Sequence, residues 1–140
     1  MKKARKIELS RYAGKWNQVA AFPAWFDRGC KNITAEYELK KGYVKVTNRC
    51  TLGPIKNKIV GKAFPTNKQN VLMVQFYPPV KSPYIIEYVD EEYKFAVVGS
   101  QNKNYLWILS RRKRIKKEDL DYLVSYAKKK GYDVSRLVFA

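Results

Sequence analysis

The chain has 140 residues and a mass of 16.4 kDa, which predicts a single domain over residues 1–140 with one sizeable core. Hydrophobic residues at 46% and aromatic residues at 14% exclude an intrinsically disordered chain. The sequence contains no histidine, which excludes Ser-His-Asp and Cys-His catalytic units and histidine-ligated metal sites. Two cysteines are too few for a four-thiolate metal site, so neither a metal nor another cofactor is expected.

The charge is strongly unbalanced, with 29 Lys and Arg residues against 12 Asp and Glu residues and a net charge of +17. Such a balance favours anionic partners, namely acidic lipids, nucleic acid or another polyanionic surface. A lysine-rich surface that only keeps the protein soluble is the alternative. Residues 1–11 form a basic N-terminal extension. Its basic residues are not followed by the apolar segment of a signal sequence, so a signal sequence is not predicted here.

Apolar and polar residues alternate with a period of two through most of the chain, which predicts strands. Between Lys31 and Lys40, for example, Ile33, Ala35 and Tyr37 alternate with polar neighbours. The predicted strands are Tyr12–Ala21, Lys31–Lys40, Val44–Arg49, Lys56–Phe64, Val71–Phe76, Tyr84–Asp90, Tyr93–Ser100 and Tyr105–Ser110. Because short turns join them, we expect an all-β fold, an antiparallel up-and-down barrel of eight strands that leaves no open edge.

One segment has a helical period instead. Leu120, Leu123, Val124 and Ala127 form an apolar stripe, and Gly131 is placed to end the helix. The sequence therefore predicts a C-terminal helix over residues 116–130, packed on the outside of the barrel. A short final strand is expected at Leu137–Phe139.

Several blocks of the sequence carry a family resemblance. They are Tyr12–Pro23 with its Gly-x-Trp motif, Phe26–Gly29, Thr34–Leu39, Tyr88–Tyr93, Tyr105–Arg111 and Gly131–Ser135. In this order and spacing the chain resembles a lipocalin, and it is most similar to the branch of the bacterial outer-membrane lipocalins and apolipoprotein D. The resemblance implies structural roles for Gly14, Trp16 and Arg111. We expect the Trp16 indole to close one end of the barrel, with Arg111 across it as a cation–π partner that also donates to backbone carbonyls.

The resemblance also implies a ligand cavity that opens at the other end. The alternation predicts its lining as Ala35, Tyr37, Val46, Asn48, Ile59, Gly61, Val74, Phe76, Tyr84, Ile86, Tyr88, Tyr105 and Trp107. Small residues at Ala35, Gly61 and Ala63 are expected to leave space, and the tyrosines would add hydroxyl groups to an apolar wall. Such a pocket suits an amphiphile such as a fatty acid or a lysophospholipid. A packed core with buried tyrosines is the alternative.

Cationic side chains at the mouth could bind the carboxylate or phosphate of such a ligand. The candidates are Arg28, Lys31, Lys56, Lys58 and Lys81. Trp25 and Phe26 are expected to rim or cap the mouth. The alternative for Trp25 and Phe26 is simple packing within the loop. The alternative for each cationic residue is a solvated charge on the surface.

Cys30 and Cys50 flank two consecutive predicted strands. Folding the hairpin about Lys41 brings position 30 near position 52, and one bulge would place Cys30 opposite Cys50, so a disulfide is geometrically plausible. Some bacterial lipocalins resemble this chain in having such a pair. A bridge would imply a secreted, periplasmic or outer-membrane-associated protein; two free thiols in a cytosolic protein are the alternative.

These observations predict a lipocalin that transports or stores a small hydrophobic or amphipathic ligand, with an anionic membrane surface as a further partner. The alternative is a binder of polyanions or nucleic acid, but most aromatic residues have inward parity, and nucleic-acid recognition needs them outside. An enzyme is not expected, because Glu36, Glu38 and Glu87 all have outward parity and no pair of carboxylates faces inward.

Overall fold

In the computed structural model, which describes residues 1–24 and 29–140, eight antiparallel strands form a closed barrel. The strands are β1 (Gly14–Ala21), β2 (Lys31–Lys40), β3 (Tyr43–Leu52), β4 (Ile55–Pro65), β5 (Val71–Gln75), β6 (Ser82–Val89), β7 (Phe95–Gly99) and β8 (Leu106–Ser110). Each pairs with its neighbours in sequence, and β1 pairs with both β2 and β8, which closes the sheet. The predicted up-and-down barrel is confirmed.

The remaining elements lie outside this sheet or at its edge. A short helix, α1 (Leu9–Tyr12), leads into β1, and the helix α2 (Lys117–Lys129) follows β8. A 3₁₀ turn at Val134–Arg136 leads to β9 (Val138–Phe139), which pairs with β1. No helix within the described residues combines the length and apolar character needed to cross a membrane.

Hydrophobic packing occurs on both sides of the barrel wall. The inner cluster contains Trp16, Tyr37 and Leu109 among its buried members. The outer cluster places Leu123 and Ala127 of α2, both 0% exposed, against the outside of the barrel. The predicted external helix is thus confirmed, and Gly131 follows it with a φ of +97°, a value that favours glycine at the end of a helix.

The N-terminal residues lie across one end of the barrel. The backbones of Lys3 and Asp90 form an isolated antiparallel β-bridge, and the Ala4 amide donates to the Val89 carbonyl at 2.8 Å. This segment therefore lies beside the turn between β6 and β7. The Ile7 amide donates to Gln69 in the turn between β4 and β5. We call this the closed end; since connections alternate in an up-and-down barrel, the turn between β3 and β4 and the loop between β5 and β6 lie at the opposite, open end.

The predicted strand limits were too generous at this closed end. Tyr12 belongs to α1 and not to β1, and Asp90 and Tyr93 lie in the turn between β6 and β7. The Asp90 carboxylate is 5% exposed and accepts hydrogen bonds from the Lys94 and Phe95 amides at 2.8 and 2.7 Å. In the sequence, apolar and polar residues continue to alternate through this turn. In the structure, the pairing of β6 with β7 ends at Val89 and Ala96, before the turn.

Candidate ligand site in the barrel interior

The closed end is built around Trp16. Its side chain is 0% exposed, and its indole N–H donates to the Tyr12 carbonyl at 2.8 Å. The guanidinium carbon of Arg111 lies 3.8 Å from the centre of the indole ring, which is the geometry of a cation–π contact. The predicted contact between these two side chains is present.

Arg111 also joins separate segments of the chain. Its Nε donates to the Tyr93 carbonyl at 3.0 Å, and its two terminal nitrogens donate to the carbonyls of Lys15 at 3.0 Å and Arg11 at 2.8 Å. Partial burial lowers the pKa of this guanidinium from its ordinary value. Gly14 lies alongside with a φ of +100°, and a Cβ there would lie 3.2 Å from an Arg111 nitrogen, so glycine suits this position sterically.

Above Trp16, three tyrosine hydroxyls meet inside the barrel. The Tyr84 hydroxyl lies 2.6 Å from that of Tyr12 and 2.8 Å from that of Tyr37. Burial raises the pKa of all three phenols, that of Tyr37 to about 12. Three hydroxyls carry three protons and two contacts consume two of them, so the cluster retains one donor for another acceptor. The sequence did not place Tyr12 in this cluster, because α1 was not predicted.

Toward the open end, the inward-facing side chains are less completely covered. Eight of the predicted lining residues are half-buried: Ala35, Asn48, Ile59, Val74, Phe76, Tyr84, Tyr105 and Trp107. Tyr37, Val46 and Ile86 are buried. Tyr105 stacks on Trp107 with ring centres 5.8 Å apart and planes inclined by 7°. The structure therefore brings twelve of the thirteen predicted lining residues to the inner side of the wall, and the half-buried ones keep surface that the chain itself does not cover.

Tyr88 is the exception, and its predicted inward orientation was wrong. It is 0% exposed and belongs to the outer cluster, with its ring 4.8 Å from that of Tyr126 on α2. The cause is a register shift between β6 and β7 after Ile86, where Ile86 pairs with Val98 but Tyr88 pairs with Val97. A bulge of this kind reverses the parity of the residues beyond it.

Two of the small residues do not leave the space that was expected. A Cβ on Gly61 would lie 2.6 Å from the Phe76 ring and 2.7 Å from the Gln75 carbonyl, so the ring already occupies this position. Ala63 is 0% exposed. Ala35, which pairs with Trp16 and packs against the inner cluster, is half-buried and is the least covered of the three small residues.

The lysines proposed to bind a ligand head group lie elsewhere. Lys56 and Lys58 are exposed and alternate with the inward Ile59, which places them on the outer side of the wall. The Lys81 ammonium lies 4.5 Å from the Phe64 ring, also on the outer side, and Lys31 is exposed at the start of β2. Trp25, Phe26 and Arg28 lie outside the described residues.

A disulfide joins Cys30 and Cys50, with Cα atoms 5.5 Å apart. A register shift in the β2–β3 pairing lies between Lys31 and Thr34, next to the bridge. The predicted pairing and the neighbouring bulge are both present. The bridge ties the loop before β2 to β3 near the open end and closes a loop that spans 20 residues.

The three acidic residues with outward parity are engaged on the outer side. Glu36 pairs with Arg49 at 2.9 Å, Glu38 pairs with Lys40 at 3.4 Å, and Glu87 accepts a hydrogen bond from Tyr132 at 2.7 Å. In the described ranges, no group of three or more His, Cys, Asp or Glu residues is placed to hold a metal ion. The inner wall thus offers apolar surface, hydroxyls and the Asn48 amide.

Comparison with known proteins agrees with this architecture. The family model described as a lipocalin-like domain matches residues 7–140. The chain is 34% identical to the outer membrane lipoprotein Blc of Vibrio cholerae, over 99% of this chain and 85% of the relative. It is 32% identical to temperature-induced lipocalin-1 of Arabidopsis thaliana, over 98% and 80%, and 29% identical to mouse apolipoprotein D, over 94% and 75%.

Solved structures show the same fold at lower identity. Lobster apocrustacyanin A1 superposes with a TM-score of 0.78 at 19% identity, covering 94% of this chain and 77% of that one. Insecticyanin from the tobacco hornworm Manduca sexta gives a TM-score of 0.76 at 19% identity, covering 99% and 82%. With a family model that spans nearly the whole sequence and relatives above 30% identity, this chain belongs to the lipocalin family.

Proposed function

We propose that this lipocalin carries one small amphipathic molecule, such as a fatty acid or a lysophospholipid, in the open half of its barrel. The observation that carries this proposal is the partial exposure of inward-facing Ala35, Ile59, Val74 and Trp107 inside a closed barrel. Apolar surface left uncovered by the protein is stabilised when an apolar chain covers it, by about 25 cal/mol for each Å² removed from water.

The interior also limits where the polar group of such a ligand can lie. The closed end presents the hydroxyl cluster of Tyr12, Tyr37 and Tyr84, with one donor to spare. Phenols are neutral at physiological pH, and burial raises the pKa of these three still further from it. Among the described residues, the cations sit on the outer side of the wall and not inside it. We therefore place the apolar chain of the ligand against Ile59 and Val74, with a polar group either at the hydroxyls or in water at the mouth.

The disulfide and the relatives support a location outside the cytosol. Disulfides persist in oxidising compartments, and the bacterial relatives are named as outer membrane lipoproteins. We propose a secreted, periplasmic or outer-membrane-associated carrier that exchanges its ligand at an anionic membrane. We propose no catalytic role, because among the described residues the side chains that face the interior include neither a carboxylate nor an imidazole for proton transfer.

The test is titration with a fluorescent fatty acid in the absence of membranes. We expect emission to saturate near one ligand per chain, with quenching of Trp107, which lines the space. Ala35→Leu and Ala35→Trp should reduce uptake in the order of the added volume, with Ala35→Trp abolishing it. Val60→Trp adds similar bulk to the exposed outer side of β4 and is the matched control.

Uptake that is unchanged in the folded Ala35→Trp variant would reject the interior site. Far-ultraviolet circular dichroism and a urea midpoint establish that the variant is folded. The Ala35→Leu variant keeps the test decisive if the larger substitution unfolds the chain, because it adds only three carbon atoms.

A further inference from the structure

One continuous part of the barrel carries positive charge without any acidic residue. Residues 39–86 contain nine Lys or Arg residues and no Asp or Glu. The rest of the chain has 20 basic residues against 12 acidic ones. About a third of the chain, covering most of β3 to β6, therefore carries more than half of the net charge.

The register of β3 and β4 brings like charges together on the outer side of the wall. Lys45 pairs directly with Lys62, and Arg49 pairs directly with Lys58. Like charges opposite each other in an antiparallel pair are destabilising. Glu36 compensates Arg49 at 2.9 Å, whereas Lys58 and Lys62 have no ion pair within 4.0 Å among the residues that the structure describes. We call Lys45, Arg49, Lys56, Lys58 and Lys62 the basic face.

Apolar side chains are exposed beside this face at the open end. Leu52 and Ile55 flank the turn between β3 and β4 and are 40% and 58% exposed. Tyr77 and Val80, in the loop between β5 and β6, are 72% and 64% exposed. We call these four residues the apolar tips. Two neighbouring connections at one end of a barrel thus expose apolar side chains next to uncompensated lysines.

From this arrangement we infer that the basic face and the apolar tips dock the protein on an anionic bilayer with the mouth of the barrel toward the lipid. Lys56 and Lys58 follow the turn between β3 and β4, and Lys62 pairs with Gln75 at the end of β5. These three lysines would lie nearest the phosphates, and the tips would enter the boundary between head groups and acyl chains. The inference rests on the proposed function only in the purpose given to docking, which is to let a ligand pass between the bilayer and the barrel without crossing water.

A bilayer fits this surface better than a soluble polyanion such as single-stranded nucleic acid. Stacking of bases requires open aromatic faces. The outer-side rings of Tyr43 and Phe64 are covered by the ammonium groups of Lys62 and Lys81, at 4.9 and 4.5 Å. Tyr77 among the apolar tips is 72% exposed, but one open ring does not provide the series of stacking surfaces that successive bases need. A flexible polyanion would also leave the aliphatic side chains of Leu52, Ile55 and Val80 in water.

The experiment measures co-sedimentation with vesicles of phosphatidylcholine containing about a third phosphatidylglycerol. Replacing Lys56, Lys58 and Lys62 together by Gln should lower the partition coefficient on the order of 100-fold, since each lysine near an anionic surface contributes about fivefold. Replacing Lys113, Lys128 and Lys129 by Gln is the matched control, because these lysines are also exposed but lie outside the basic face. An equal loss in both triple variants would overturn the inference.

A second pair of variants tests the orientation. Ile55→Ser with Val80→Ser should lower the partitioning by about tenfold or more and leave a larger salt dependence, because the apolar contribution is lost. Val138→Ser, which alters a side chain that is 59% exposed on β9, should have little effect. Unchanged partitioning in the first pair would refute insertion of the tips.

Two further outcomes separate this inference from the proposed function. Binding to heparin or single-stranded DNA without binding to the vesicles would replace the bilayer by a soluble polyanion. Vesicle binding in a protein that takes up no fluorescent fatty acid would refute the carrier function and leave the docking surface intact.

Discussion

Replacing Arg111 tests how much of the stability of the fold resides at the closed end. Arg111→Met keeps an unbranched side chain of comparable length over Trp16 but removes the charge and all five donors. The wild-type guanidinium donates to the part-buried carbonyls of Tyr93 at 3.0 Å and Tyr12 at 3.3 Å, and it lies 3.8 Å from the indole centre.

The structure gives the expected size of the effect. Hydrogen bonds from a charged donor contribute more than neutral ones, but some of the carbonyls at this end can be hydrated once the guanidinium is gone. Counting about 1 kcal/mol for each of the two part-buried hydrogen bonds and about 1 kcal/mol for the cation–π contact gives a loss of about 3 kcal/mol. With a urea m-value of about 2 kcal/mol/M, the midpoint should fall by about 1.5 M.

The assay is equilibrium unfolding in urea followed by tryptophan fluorescence. Arg112→Met is the control, because Arg112 is the neighbouring arginine and is exposed, and its midpoint should shift by less than the equivalent of about 0.5 kcal/mol. Arg111→Lys should recover less than half of the loss, since an ammonium cannot reach several carbonyls in one plane. A free energy of unfolding for Arg111→Met within 0.5 kcal/mol of the wild type would show that the reasoning about this residue is wrong.

Four further changes follow from the structure. Gly14→Ala should cost about 1–2 kcal/mol in urea unfolding, because the φ of +100° is unfavourable for alanine and its Cβ would contact Arg111. Tyr84→Phe should cost about 2–3 kcal/mol in the same assay, since it removes the shared partner of the Tyr12 and Tyr37 hydroxyls; an unchanged midpoint would mean that water replaces it. The contribution of Tyr37 to stability should be constant below about pH 10 and be lost between about pH 10 and 12, because burial raises the pKa of Tyr37 to about 12 and the unfolded chain loses the phenolic proton first. Urea midpoints measured between about pH 9 and 12 test this, and Tyr37→Phe should show a smaller fall than the wild type. Reduction of Cys30–Cys50 should lower the free energy of unfolding by about 3 kcal/mol, the loop-closure value for 20 residues, and Cys30→Ser with Cys50→Ser should match the reduced wild type.

The period-two alternation was sufficient to predict the barrel, because each strand has one face inside and one outside. It failed at Tyr88, where one bulge after Ile86 reverses the parity and no residue in the sequence marks the bulge. It also failed at Gly61, because the pattern gives the volume of one residue but not the reach of Phe76 from the neighbouring strand. Local pattern predicts which side a residue faces, whereas the filling of the interior depends on side chains from several strands.

The lysines near the open end show a similar limit of prediction from the sequence. Lys56, Lys58 and Lys81 were considered as partners for a ligand head group because they are near the open end in sequence. Parity already places Lys56 and Lys58 on the side opposite Ile59, and Lys81 reaches Phe64 on that same outer side. Whether a lysine can reach a ligand inside the barrel therefore depends less on how near it is to the end of a strand than on which side of the wall the alternation assigns to it.

The two ends of the barrel are stabilised in different ways, and this difference is compatible with the ligand space that we propose. At the closed end, Trp16, Arg111 and the tyrosines around Tyr84 fill the space with packed rings that hydrogen bonds join. Toward the open end the interior residues are half-buried, so packing contributes less there, and the Cys30–Cys50 bridge constrains the unfolded chain instead. A covalent link between β3 and the loop before β2 adds stability without occupying the interior, whereas larger side chains at Ala35 or Ile59 would add stability by filling it. We therefore expect variants that fill the hollow to gain stability as they lose uptake.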